Sequence, residues 1–211
     1  MPTPSAATMR LVRLHCAARG MTLGWAAAVS LSWVVVAVSS GVLLPYLLPA
    51  VRDGASLPSL ALVALVVPLS IWLPTLDEPP SFLIATAGRR LSSLRSCVLT
   101  SSVFVGTAGA VVVGLTTLLD IRSLTSLVAL LWGAGFVGTV VLGGRTAWVL
   151  PLGIVLVFSV PRLVPWDVNV IYNPSLLTHL GFLAGAVLVA GSLAYVRHGS
   201  KRGGGSANGS W

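Results

Sequence analysis

The sequence predicts an all-α, polytopic membrane protein with about six transmembrane helices, and three observations carry that prediction. Hydrophobic residues make up 55% of the chain and charged residues 9%, with a mean hydropathy of +0.94, far outside the range of soluble domains. The apolar residues fall into runs long enough to cross a hydrocarbon core, which takes roughly 17 to 25 residues as a helix. The few basic residues gather on alternate loops. A hydrocarbon environment leaves only helices or closed barrels to satisfy the backbone, and runs of this length are helical runs.

Taken in order, the runs are Thr22 to Leu44, Leu57 to Leu73, Cys97 to Leu119, Leu124 to Leu142, Thr146 to Val160 and Leu180 to Val196. The first is too long for a signal-peptide core and lacks a small-residue cleavage site, so it reads as a retained helix. The fifth is short, bracketed by Pro151 and Pro161, and is expected to cross tilted, broken or incompletely. The six runs form one membrane domain, 22–198. A basic segment, 1–21, precedes it, and a Gly/Ser-rich tail, 199–211, with the composition of a flexible linker follows.

Orientation follows from the basic residues. With a cytoplasmic N-terminus, one side carries Arg10, Arg13, Arg19, Arg89, Arg90, Arg95, Arg145, Arg197, Lys201 and Arg202, and the other only Arg52, Arg122 and Arg162. Ten against three predicts a multi-pass protein of the cell membrane with both termini in the cytoplasm. The net charge of +8 then reflects topology and contact with anionic lipid heads. Nucleic acid is a poorer partner, because no soluble basic domain is present to bind it.

One polar stretch, LDEPPSFLIATAGRRLSSLRS, interrupts the apolar pattern between the second and third runs. Asp77 and Glu78 followed by Pro79 and Pro80 end the second helix, and Ser81 is an N-cap for a new one. At 100° per residue, Leu83, Ile84, Ala87, Leu91 and Leu94 share one arc, with Arg89, Arg90, Ser92, Ser93 and Ser96 around the rest. The spacing predicts a basic amphipathic helix in the cytoplasmic interface, which Arg95 leads into the third span. The plain alternative is a segment that only floats the loop on the headgroups.

The segment PRLVPWDVNVIYNPSLLTH, between spans five and six, cannot be a continuous membrane helix. Trp166 and Tyr172 have the character of interfacial aromatics, and Asn173 before Pro174 signals a turn and a helix start. The plain reading is a loop anchored by two aromatics; the functional one is an external lid over an exit path, built on Trp166, Asn169, Tyr172 and Asn173.

A cytoplasmic basic segment before span one, a cytoplasmic helix between spans two and three and an irregular external segment after span five occur here in one chain. This order resembles the transmembrane subunit of ABC-2-type exporters, and the resemblance covers nearly the whole chain at the level of topology. It implies that Thr8 to Arg19 matches an interfacial connecting helix. Ser81 to Arg95 then matches the coupling helix that docks on a separate ABC ATPase, and Pro161 to His179 matches re-entrant pieces. Glu78, Arg89, Arg90 and Arg95 become the coupling candidates, and ATP with Mg would sit on the partner ATPase. The second permease would be another copy of this chain or a similar one.

Small residues recur every four positions at Gly106, Ala110 and Gly114 and at Ala186, Ala190 and Ala194, which allows close helix approach. Several chemistries find no support. The spans hold essentially no ionisable residue away from their ends, so a proton or sodium relay is not expected. His15, His179 and His198 are scattered, without metal-ligand spacing. Cys16 and Cys97 both fall at the cytoplasmic face, where thiols stay reduced. No GxxxxGK[ST] is present, so ATP hydrolysis is expected on a partner; the chain is not expected to be an enzyme, and no catalytic, cofactor or metal site of its own is expected. The expected function is the membrane subunit of an ATP-driven exporter for a hydrophobic or amphipathic molecule such as a lipid, peptide or antibiotic. The competing class is a non-transporting scaffold or anchor subunit, and an intramembrane enzyme trails both.

Overall fold

A computed structural model of the chain describes residues 16, 21–41, 59–77, 90–117, 119–159 and 163–200. Among them there is no strand; the body is built of helices. These are α1 (Leu23–Ser39), α2 (Ser59–Ala64), α3 (Val66–Trp72) continued by a 3-10 turn (Leu73–Leu76), α4 (Arg90–Thr116), α5 (Ile121–Leu142), α6 (Val149–Ser159) and α7 (Leu177–His198). Three helical stretches are long and apolar enough to cross a membrane: Ser92–Thr116, Ile121–Leu142 and Pro174–His198. The apolar helices Leu23–Ser39, Leu60–Leu76 and Val149–Ser159 are shorter. Thr8 to Arg19 apart from Cys16, Arg52 and the first part of the polar stretch, 78–89, lie outside the described residues.

Local chemistry sets the helix ends. Thr22 caps α1, its Oγ1 accepting from the Trp25 N–H. Pro68 has no N–H to offer the Ala64 carbonyl and its ring crowds that position, and the helix breaks at Leu65 into α2 and α3. Asp120 caps α5 through Oδ2, which accepts from both the N–H and the hydroxyl of Ser123 at 2.8 Å. Gly143 (φ 90°) ends α5 and Gly199 (φ 72°) ends α7, both in the left-handed region that suits glycine.

The core is centred on α5, whose Leu124, Leu127, Leu131 and Phe136 are fully buried. Its largest partner is α7, with α4 next. The two helices touch backbone to backbone: a Cβ on Gly133 would lie 2.6 Å from the Leu188 nitrogen, and one on Gly191 would strike the Gly133 carbonyl. The buried face of α7 is Leu180, Ala184, Gly191 and Tyr195. Of the two small-residue stripes, Gly106, Ala110 and Gly114 does pack, with Gly106 under the Trp132 ring and Gly114 against Ile121. The other is turned outward, with Ala186 and Ala190 exposed, because the α7 seam runs along a different face through Ala184 and Gly191.

Helices α5 and α7 run parallel. Arg122, Thr125 and Ser126 at the start of α5 line one groove of about 280 Å³ with Leu177 and Thr178 at the start of α7. The chain between them must therefore return along the bundle. At 1.5 Å per residue, α6 with its 11 residues provides about 16 Å of that return, against about 33 Å for the 22 residues of α5. The remainder falls to the irregular segment that follows α6.

Candidate functional site

At the end of the bundle where α7 finishes, three polar contacts join segments far apart in sequence. The Tyr195 hydroxyl donates to the Leu76 carbonyl at 2.8 Å. The Gly144 N–H donates to Asp77 Oδ1 at 2.6 Å. Arg95 Nη1 donates to the Val196 carbonyl at 3.1 Å and to the Arg197 carbonyl at 3.5 Å. The last carbonyls of a helix have no partner within it, and a guanidinium there meets both that need and the negative end of the helix dipole. Gly144 fits because a side chain there would collide with Asp77 and the Leu73 carbonyl. The result is a clasp: the end of the α3 stretch, the base of α4, the α5–α6 turn and the end of α7 meet at one level.

The clasp changes the expectation for the polar stretch. Arg90 to Ser96 does not close a separate interfacial helix; it forms the first turns of α4, one unbroken helix of 27 residues. Between Gly88 and Gly106 the chain has neither glycine nor proline to stop it. The predicted faces hold where described: Leu94 is buried, while Ser92, Ser93 and Ser96 are exposed. Of the coupling candidates, Glu78 and Arg89 lie outside the described residues, and Arg90 opens α4. Arg95 is half-buried and committed to the α7 carbonyls.

The second candidate site lies at the opposite end, between α6 and α7. Asn169 is fully buried. Its Nδ2 donates to the Phe158 carbonyl at 3.0 Å, while its Oδ1 accepts from the N–H groups of Ile171 and Tyr172 at 3.3 and 3.2 Å. Tyr172 is fully buried as well, its hydroxyl 2.9 Å from Ser159 Oγ. Asn173 caps the 3-10 turn Pro174–Leu176, accepting from the N–H of Ser175, and donates to the Trp166 carbonyl. Trp166 is half-buried, with Leu163 and Val168 exposed beside it. Tyr172 is thus no interfacial anchor, since its ring is enclosed and its hydroxyl satisfied inside the protein. The four lid candidates do come together, as a hydrogen-bonded plug on the end of α6.

Sequence reading gave Asp77 only a helix-ending role and missed Gly144, Ser159 and Tyr195. A tyrosine in the last turn of an apolar helix and a Gly-Gly pair after another were the available signals. Among the described residues no cluster of His, Cys, Asp or Glu could hold a metal ion. No family model, curated protein or solved structure matches the chain.

Proposed function

We propose that this chain is the membrane subunit of an ATP-driven ABC-type exporter, working with a cytoplasmic ATPase and a second copy of itself or a similar permease. In this reading six segments cross the cell membrane, the fifth being the short α6, and both termini are cytoplasmic. The observation that carries it is the clasp. Arg95, at the base of the basic stretch where a partner would dock, grips the end of α7, and Asp77, on the other side of that stretch, holds the α5–α6 turn. A push on the stretch between Asp77 and Arg95 would thereby reach α4, α5, α6 and α7 together. The plug at the far end, resting on α6 and leading into α7, lies where a displaced α6 or α7 would open an exit. The cargo is apolar or amphipathic, in keeping with spans that hold essentially no ionisable residue.

The test is copurification. The R89E/R90E variant should insert normally but fail to retain the ATPase and lose ATP-dependent export. Exposed ion pairs contribute only about 0.2–1 kcal/mol each, but reversing two of them adds repulsion of several kcal/mol. The R89Q/R90Q variant should be intermediate, because it gives up the attraction without adding repulsion. Equal recovery of an ATPase with all three forms, or none with the unmodified chain in mild detergent, sinks the reading in favour of a scaffold or anchor.

A further inference from the structure

Four tryptophans meet in one seam of the bundle: Trp25 and Trp33 from α1, Trp72 from α3 and Trp132 from α5. Trp25 and Trp72 lie with ring centroids 4.8 Å apart, and Trp33 stacks on Trp132 at 6.2 Å with 21° between planes. Both rings of the second pair rest on glycines of α4: Trp33 covers Gly109, and a Cβ on Gly106 would lie 2.9 Å from Trp132. Trp72 uses its indole N–H, which donates to Ser102 Oγ on α4. The indole N–H groups of Trp25, Trp33 and Trp132 are buried and have no acceptor.

Buried indoles ordinarily find a partner, and inside a bilayer there is no bulk water to supply one. Three idle donors in one seam therefore ask for an acceptor from outside the chain. A second, independent observation shows how one could arrive. The serines of α1 spend their hydroxyls on their own helix, Ser30 on Ala26, Ser32 on Val29 and Ser39 on Val35. Among the described residues no hydrogen bond ties α1 to α4, so the two can part at the cost of apolar contact alone.

We propose that the seam between α1, α4 and α5 is a binding site for an apolar molecule bearing neutral hydrogen-bond acceptors, such as ester or amide carbonyls, which takes the idle indole N–H groups as α1 moves off α4. Neutral acceptors fit because the indole N–H groups are neutral donors and would leave the charge of a buried anion uncompensated. An acyl or flat apolar body fits the indole faces and the backbone at Gly109, which Trp33 covers until α1 moves. The site does not rest on the exporter reading.

The test is photolabelling of the full chain in nanodiscs of ether-linked phosphatidylcholine, with a diazirine-bearing monoacylglycerol as probe. Label is expected on α4 near Gly106 to Ala110 and on α1 near Trp33, displaced by monoolein but not by octadecene, which lacks an acceptor. W33F/W132F keeps two aromatic rings and deletes two donors, and should lower incorporation about tenfold. W72F removes a donor already engaged and should change it less than about twofold. The single variants W33F and W132F, each closer to the native packing, should lie between. Displacement by octadecene equal to that by monoolein, label confined to the exposed Leu31 and Val34 face, or equal labelling of all variants would overturn the proposal, as would donors met only by trapped water, which leave no monoolein-sensitive label. No ATPase is used, so the seam and the exporter reading stand or fall separately.

Discussion

Among individual residues, Asp120 shows how much of this fold hangs on single polar side chains at helix ends. Hydrogen bonds from the Ser123 backbone N–H and hydroxyl, helped by Arg122 nearby, hold its carboxyl below its ordinary value of 3.8. A carboxylate with a depressed folded pKa adds stability that is fully present above its unfolded pKa and lost as pH falls through the folded one. Thermal melts of wild type and D120A should therefore differ at pH 6, by about 0.5–2 kcal/mol as for other N-caps, and converge as pH drops below about 3.8. A gap that persists unchanged at low pH would show that Asp120 does not cap as its carboxylate. Tyr195 is the counterpart at the other end. Y195F removes the donor to the buried Leu76 carbonyl and should cost about 0.5–1.5 kcal/mol, with faster proteolysis near residues 78–89 as the clasp loosens. Unchanged stability and proteolysis would mean that this contact does not hold the clasp.

Between elements, backbone approach sets the packing of α5 on α7. Because Gly133 faces the backbone of α7 at Val187 and Leu188, G133V must push two helices apart, and overpacking of this kind costs about 1–3 kcal/mol or more. Gly185, also on α7, would present a Cβ to nothing within 4 Å, so G185V should stay within about 0.5 kcal/mol of wild type. Melting temperatures in detergent separate the two; equal effects would discredit the crossing. Element boundaries were legible wherever a residue with a local rule stood at them: Thr22 before α1, Asn173 before the last helix, the apolar run of α5. Helix facing was less so. In a chain that is apolar on every side, hydrophobic periodicity cannot say which stripe faces inward, and the alanines at 186, 190 and 194 are no smaller a temptation than Ala184 and Gly191. The clasp was hidden for a different reason. Its contacts join residues more than sixty positions apart, Gly144 to Asp77 and Tyr195 to Leu76, and no local spacing announces such a pair.

At the scale of the whole molecule, the charges of the described residues sort to the two ends of the bundle. Arg95 and Arg197 lie at the end of α7, and Arg145 follows Gly144 in the turn held by Asp77, while Arg122 stands at the opposite end beside the start of α7. This separation follows the alternation of basic loops in the sequence, and on the proposed exporter reading the positive-inside bias would put the clasp in the cytoplasm and the plug outside. The parallel run of α5 and α7 makes that orientation testable with few probes, since the chain from residue 143 to 176 must run from one end of the bundle to the other. In a background with Cys16 and Cys97 replaced by serine, V168C should react with an impermeant thiol reagent in intact cells, Val168 being 59% exposed. H198C, at the exposed end of α7, should react only after permeabilisation. N169C adds a control on the plug: Asn169 is fully buried, so a packed segment leaves that thiol slow, whereas an open loop would label it as fast as its neighbour. The reverse pattern at positions 168 and 198 would put the clasp outside the cell, beyond reach of any cytoplasmic ATPase, and would end the exporter reading while leaving the helix packing untouched.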